Sequence, residues 1–146
     1  MKAVLTRVLS ASVTIDGLKT AEISGGYLVL LGVDAKDERE DAVRLADRVC
    51  GLRIFEDDKG KMNLNLETHG GEILVVSQFT LFADTSSRRP GFTGAARPEK
   101  AIPLYELFME ECRTRGFTVK HGEFGADMKV SSVNDGPVTI LFDTRG

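Results

Sequence analysis

Between Ala3 and Ile15 apolar and polar residues alternate, Val4, Val8, Val13 and Ile15 being interleaved with Thr6, Ser10, Ser12 and Thr14. A period of two sends successive side chains to opposite faces, so this stretch predicts strand rather than helix. Asp16-Gly17 then reads as a hairpin turn and Lys19 to Ile23 as the return strand. Gly25-Gly26 breaks the pattern before Tyr27 to Val33, an apolar run suited to a strand buried on both faces. From Asp37 to Gly51 the period becomes helical. Ala42, Leu45, Ala46 and Val49 share one face, Asp37 is a candidate N-cap and Gly51 a candidate stop.

Farther along, Arg53 to Phe55 predicts a short strand, Asp57-Asp58-Lys59-Gly60 a turn, and Glu72 to Gln78 a strand centred on the apolar Ile73-Leu74-Val75-Val76. Ala83 to Arg97 is rich in Ser, Thr, Arg, Gly and Pro without a period, which predicts a long loop, and long loops in compact domains are often functional. A second helix is expected from about Pro98 to Arg115, with Pro103 tolerable near its start and Gly116 ending it. Its stripe of Leu104, Leu107, Phe108 and Cys112 reads as core. Phe117 to Lys120, Lys129 to Val133 and Val138 to Phe142 predict three further strands. Two helices among about nine strands point to a strand-rich, mixed layered domain of the α/β class, expected as one domain over residues 1–146. No Gly-x-Gly-x-x-Gly follows a strand, so a dinucleotide-binding fold is not indicated.

The 146 residues suffice for a core without staples, since a domain of about this length buries roughly 68–70% of its unfolded surface. Apolar residues at 42% and charged residues at 28% exclude disordered and fibrous classes. A net charge of −3 argues against broad, sequence-blind nucleic-acid binding and leaves only local basic patches, Arg88-Arg89 with Arg97, and Lys59 with Lys61. Cys50 and Cys112 fall at apolar positions of the two helices without metal-ligand spacing, which reads as two reduced core thiols. The start of the chain carries Lys2 and Arg7 and lacks the apolar core of a signal peptide, and Tyr27 to Val33 is far too short to span a bilayer. A cytoplasmic protein without a membrane partner is expected.

Two segments carry the candidate chemistry. Ser77-Gln78-Phe79-Thr80-Leu81 brings hydroxyls, an amide and backbone donors to the place where an apolar strand runs out. Asn134-Asp135-Gly136-Pro137-Val138-Thr139 places a Gly-Pro turn before a β-branched strand. Thr80 is the candidate nucleophile, but a threonine hydroxyl needs a base within hydrogen-bond reach, and His69 and His121 both sit in turn-like surroundings beside glycines. No Asp/Glu/His/Cys pattern suits a metal, and no cofactor is expected. The alternative is an oxyanion hole of backbone N–H groups around Phe79 and Thr80, where losing one donor typically costs ~10²–10³ in rate. The same residues could equally do no more than satisfy a strand end. A Gly-Pro turn offers carbonyl oxygens, suited to an ammonium, and a steric wall, suited to chiral selection; otherwise it simply opens the last strand.

Together these two segments resemble the signature motifs of the D-aminoacyl-tRNA deacylases. Arg7-Val8 with Ala11-Ser12-Val13, Leu52-Arg53-Ile54-Phe55, Gly60-Lys61-Met62-Asn63, Arg88-Arg89-Pro90 and Phe124-Gly125-Ala126-Asp127-Met128 are similar to that family too, so the likeness spans the chain. Gly91 departs from the serine that follows this proline in many relatives. The resemblance implies a β/β/α layering and a metal-free homodimer that hydrolyses the ester between a D-amino acid and the 3′ end of tRNA. It implies that Ser77, Gln78, Phe79 and Thr80 form the catalytic segment. It further implies a cis Gly136-Pro137 peptide reaching into the neighbouring subunit's site, where its carbonyls hold the substrate α-amino group and exclude an L side chain. Asn134, Arg7, Met62 and Asn63 would belong to the substrate-binding surroundings, with Arg7 propping the Gly-Pro turn. Glycine has no side chain to exclude, so glycyl-tRNA mischarged on alanine tRNA is an implied second substrate. The family favours a ribose hydroxyl of the terminal adenosine over a protein nucleophile. Two other readings stay open: a Thr-nucleophile hydrolase of small D-amino-acid esters or amides, and a non-catalytic RNA-binding protein.

Overall fold

The computed structural model describes residues 1–146. Its elements run β1 (Lys2–Ile15), β2 (Leu18–Ile23), β3 (Gly26–Gly32), α1 (Arg39–Gly51), β4 (Phe55–Glu56), β5 (Met62–Leu64), α2 (Leu66–His69), β6 (Glu72–Ser77), a 3₁₀ turn (Phe79–Phe82), α3 (Pro98–Thr114), β7 (Val119–His121) and β8 (Lys129–Asp143). Six strands form one mixed sheet in the order β2-β1-β3-β6-β7, with β8 running antiparallel along β1. The β3–β6 and β6–β7 pairs are parallel, whereas β4 and β5 make a separate small hairpin.

The alternation read between Ala3 and Ile15 produces a single strand that changes face partway. Ala3 and Leu5 face the helices, while Val8, Ala11 and Val13 join a second apolar cluster with Ile23, Leu28, Leu74 and Val76. Register shifts between Thr6 and Val8 and between Val8 and Ser10 mark the change. An extra residue at a bulge leaves the ladder and reverses the orientation of those that follow. Leu9, at this point, is exposed. The larger cluster packs α1 and α3 on one face of the sheet, with Leu45, Val49, Phe108 and Cys112 fully buried. Each fully buried Val, Leu or Phe side chain contributes roughly 1.5–3 kcal/mol. Tyr105 ties α3 to the sheet by donating its hydroxyl to the Val75 carbonyl at 3.1 Å, and burial pushes its pKa up to about 12. Around the second cluster the sheet curls, and Lys120 of β7 donates to the Glu22 carbonyl at the end of β2, 2.8 Å away.

Several sequence expectations shift. Glu38, not Asp37, caps α1, in a capping box with Asp41. Asp37 is fully buried and instead accepts from the Met1 ammonium at 2.9 Å and from Arg145 at 3.2 Å. Lys129 to Val133 and Val138 to Phe142 belong to one long strand, because both halves pair with β1. Arg53 to Phe55 is displaced to Phe55–Glu56, Phe117 to Lys120 to Val119–His121, and β5, α2 and the 3₁₀ turn join the expected elements. No helix is long and apolar enough to cross a membrane.

Candidate active site

Strand β6 leads directly into the first segment. Ile73, Leu74, Val75 and Val76 are buried on both faces between β3 and β7, so the strand is held rigidly up to Ser77, where burial falls away. The Gln78 N–H donates to the Leu31 carbonyl at 2.8 Å, extending the parallel ladder by one rung. The chain then winds into the 3₁₀ turn, whose hydrogen bonds begin with Leu81 N–H to the Gln78 carbonyl at 3.2 Å and continue with Ala83 N–H to the Thr80 carbonyl at 3.1 Å. Phe79 and Thr80 N–H therefore have no acceptor within the turn, as at the start of any helix.

Gly32 at the end of β3 makes this winding possible. A Cβ there would lie 3.0 Å from the Gln78 carbonyl oxygen and 3.1 Å from both Leu81 Cβ and Phe82 Cε2. In the sequence this shows only as a glycine inside the apolar run from Tyr27 to Val33, the mark of a close backbone approach.

Gln78 Nε2 donates to Thr80 Oγ1 at 2.6 Å. Neither histidine serves as a base for that hydroxyl. His69 stacks on Phe55, with ring centroids 4.0 Å apart, and His121 Nδ1 lies 2.5 Å from the Gly122 carbonyl oxygen. Phe79 is 55% exposed and meets Phe92 (37% exposed) edge to face at 5.2 Å. A cleft of about 310 Å³ opens alongside, lined by Leu31, Ser77, Gln78, Phe79, Phe124 and Met128 among others. No group of three His, Cys, Asp or Glu side chains gathers as a metal site.

The second segment lies elsewhere in the chain. Thr6 pairs with Thr139 and Val8 with Asn134, so β8 spends five steps where β1 spends two, and Asp135 to Val138 bulge out of the ladder. The Gly136-Pro137 peptide in this bulge is cis. Arg7, 7% exposed, projects beneath it. Its Nε donates to the Asp135 carbonyl at 3.3 Å and lies 3.3 Å from the Asp135 carboxylate, while Nη1 donates to the Ile54 carbonyl at 2.5 Å. Gly136 adopts φ +118°, and a Cβ on it would sit 2.9 Å from Val138 Cγ2 and 3.2 Å from Arg7 Nη2. Asn134, exposed on the same strand, accepts from Ser132 Oγ at 2.7 Å.

Thus Ser77, Gln78, Phe79 and Thr80 are adjacent, and Arg7 joins Asn134, Gly136 and Pro137 around the β8 bulge. Met62 and Asn63 stand on β5, Met62 being exposed and Asn63 bonded to Arg53 and to Asp57. The Asp57 carboxyl is held below its ordinary range, first by the Lys61 backbone N–H and then, against some desolvation, by Lys59 and Asn63. Within one chain neither the β8 bulge nor Met62 and Asn63 line the cleft beside Ser77. Phe92, which meets Phe79, is not among the residues the sequence singles out, and Asp135, which holds Arg7, lies in the second segment without a role of its own there.

Known proteins resemble this chain over nearly its whole length. The family model described as D-Tyr-tRNA(Tyr) deacylase matches residues 4–143. The D-aminoacyl-tRNA deacylase of Pectobacterium atrosepticum is 54% identical over 145 residues, covering 99% of this chain and all of the relative. That of Shewanella putrefaciens is 54% identical over 141 residues, covering 96% and 97%. Among solved structures, the c-Myc DNA Unwinding Element Binding Protein superposes with a TM-score of 0.91 at 39% identity, covering 98% of both chains. A probable eukaryotic D-amino acid tRNA deacylase superposes at 0.81 with 16% identity over 97% of both, a likeness of fold. A family model matching residues 4–143 and relatives 54% identical over nearly the whole chain place this chain in the D-aminoacyl-tRNA deacylase family.

Proposed function

We propose that this chain hydrolyses the ester of D-aminoacyl-tRNA, releasing tRNA and the free D-amino acid, and that backbone groups at the end of β6 carry the chemistry. The observation that carries the reading is the pair of N–H groups on Phe79 and Thr80, which have no acceptor within their own turn. Donors fixed in this way act on charge that develops in the transition state without reorganising as it forms. Here they receive the ester carbonyl oxygen as it becomes an oxyanion. A water molecule adds to the carbonyl carbon, assisted by a ribose hydroxyl of the terminal adenosine; the acyl carbon–oxygen bond then breaks and the departing ribose oxygen takes up a proton. The Thr80 hydroxyl, held by Gln78 and without a basic partner, contributes little as a nucleophile. The cleft lined by Phe124 and Met128 offers apolar surface for the terminal adenine beside the reacting ester.

Chirality would be read by Gly136-Pro137 donated from a second copy of the chain. Support comes from β8, a 15-residue strand paired only with β1, leaving its other edge open. Val133 and Leu141 on it are 53% and 75% exposed, and Leu9 on β1 is 59% exposed. Long edges with apolar side chains favour pairing with another chain. Across such a dimer the carbonyls near Gly136 would hold the substrate ammonium and Pro137 would exclude an L side chain, with Asn134, Met62 and Asn63 in the surroundings. Glycine would pass the same gate, making mischarged glycyl-tRNA a second substrate in the cytoplasm.

The test is release of amino acid from matched D- and L-tyrosyl-tRNA by the purified protein. Selective hydrolysis of the D-ester is expected, and equal rates on the two, or none on either, would overturn the reading.

A further inference from the structure

Next to the candidate site stands a second feature that the ester chemistry does not use. The Ala83 to Arg97 stretch contains a small closed loop, in which Asp84 N–H donates to the Gly91 carbonyl at 2.7 Å and Gly91 N–H returns to the Asp84 carbonyl at 3.0 Å. Inside it the Asp84 carboxylate accepts from Ser86 N–H at 2.9 Å, which holds this carboxyl below its ordinary range. Ser87 Oγ donates to the Arg89 carbonyl at 2.8 Å. Arg88 and Arg89, the only adjacent pair of arginines in the chain, project from this braced loop. Both are exposed, and neither takes part in an ion pair or a side-chain hydrogen bond. Most other arginines are engaged: Arg7 with Ile54 and Asp135, Arg53 with Asn63, Arg115 with Glu111 and Arg145 with Asp37.

The loop is coupled to the site through its base. Gly91 leads into Phe92, whose ring meets that of Phe79, and both rings are open to solvent. Two exposed, unpaired arginines therefore precede Phe92 by four and three residues, in a loop whose Phe92 packs on the turn that follows β6. That combination fits single-stranded RNA, in which arginines pair with phosphates and unstacked bases lie against aromatic rings. Because the chain as a whole carries a charge of −3, it does not attract RNA uniformly, and local cations must supply whatever phosphate attraction exists. Gly91 leaves open space at this loop, since nothing lies within 4 Å of where its Cβ would be.

We infer that Arg88 and Arg89 hold phosphates of the single-stranded 3′ end of tRNA, with Phe92 receiving an unstacked base, and so align the terminal nucleotide with Phe79 and Thr80. This rests on the tRNA-directed reading above but concerns binding, and it is tested apart from turnover. Binding of uncharged tRNA to the wild-type chain, to R88Q/R89Q and to R88K/R89K is measured by fluorescence anisotropy over a range of salt. Single-stranded contacts contribute a slope of about 0.7 per phosphate in log affinity against log salt, so the glutamine variant is expected to lose about 1.4 of that slope and at least tenfold in affinity, while the lysine variant retains most of both. Deacylation of D-tyrosyl-tRNA and of D-tyrosyl-adenosine, which has no phosphate, supplies a second readout. R88Q/R89Q should lose at least tenfold more kcat/KM on the tRNA than on the minimal ester. Unchanged salt dependence of binding, lysine and glutamine variants that behave alike, or equal losses on the two esters would overturn the inference. Wild-type binding that weakens normally with salt but is accompanied by no hydrolysis of either ester would instead count against the proposed chemistry alone.

Discussion

Arg7 donates to the backbone carbonyl of Asp135 at 3.3 Å, from the stretch of β1 that faces the break in its pairing with β8. The same side chain reaches Ile54 on the other side, so one guanidinium joins the Gly-Pro bulge to the segment leading into β4. A lysine is a point charge on a flexible stem and cannot span both carbonyls. Arg7→Lys should lower deacylation of D-tyrosyl-tRNA by tenfold or more. Arg7→Met should in addition cost about 2–4 kcal/mol in urea denaturation, because buried carbonyls lose a charged donor. Full activity in Arg7→Lys would separate Arg7 from the presentation of the bulge.

Gly136 gives a more local test. At φ +118° any side chain is strained, and a Cβ would press on Val138 and on Arg7 Nη2. Strain of this kind costs roughly 1–3 kcal/mol, which a domain with ordinary stability survives. Gly136→Val should therefore remain folded by circular dichroism while losing most turnover of the D-ester. Unchanged turnover would refute the role of the bulge in the site.

Thr80 separates backbone from side-chain chemistry. Its hydroxyl accepts from Gln78, and no histidine reaches it. Thr80→Ala removes the hydroxyl and leaves the N–H in place, so single-turnover deacylation should fall by about tenfold or less, the effect of a perturbed donor rather than a lost nucleophile. A drop of several orders of magnitude, rescued by Thr80→Ser, would establish the hydroxyl as the nucleophile.

The Gly32 contacts make a remote substitution informative. In Gly32→Val the added methyls have to displace the Gln78 carbonyl, Leu81 and Phe82. Overpacking costs typically 1–3 kcal/mol, but the larger expected consequence is a turn moved away from the carbonyl it should stabilise. On D-tyrosyl-adenosine, kcat should fall by at least tenfold, because misplacing catalytic groups by about 1 Å can cost 10² in rate. Loss of stability with kcat intact would confine Gly32 to packing.

What could be read from the sequence follows from how far each signal reaches along the chain. The end of β6 was legible because an apolar run stops at Ser77 and polar residues follow at once. The face change within β1 was not, since alternation continues on either side of the bulge and only pairing with β8 shows the shift. Asn134 to Pro137 carries genuine turn chemistry, which divided β8 into two expected strands, yet both halves pair with β1 and the turn survives as a bulge. Helix α2 has four residues, too few for a period, and its cap, Asn65 accepting from Thr68 N–H at 2.9 Å, shows only in the structure. The contact between Phe79 and Phe92 spans an irregular loop, and no local pattern encodes it.

Asp37 shows why a local capping rule can miss by one residue, since Glu38 caps α1 while Asp37 is drawn into the core, and with Asp41 it also predicts the acid limit of the fold. Asp37 is engaged by the Met1 ammonium and Arg145. Asp41 bonds the Glu38 N–H at 2.9 Å and accepts from the Thr144 hydroxyl at 2.8 Å. Burial alone would raise the Asp41 pKa. The Glu38 N–H, the Thr144 hydroxyl and the nearby positive charges outweigh it, and the net shift is downward from the ordinary 3.8. A carboxyl whose pKa is lower in the folded state binds its proton more readily when unfolded. Its stabilisation is therefore complete above about 3.8 and is lost as pH falls from there through the lower folded value. Urea denaturation as a function of pH should show the wild-type chain losing stability across that acid window. Asp41→Asn should be less stable than wild type at neutral pH, with the difference narrowing as the pH falls, because the native carboxylate loses its advantage once protonated. A difference that stays constant down to pH 2 would mean that Asp41 acts through packing or neutral hydrogen bonds and not through its charge.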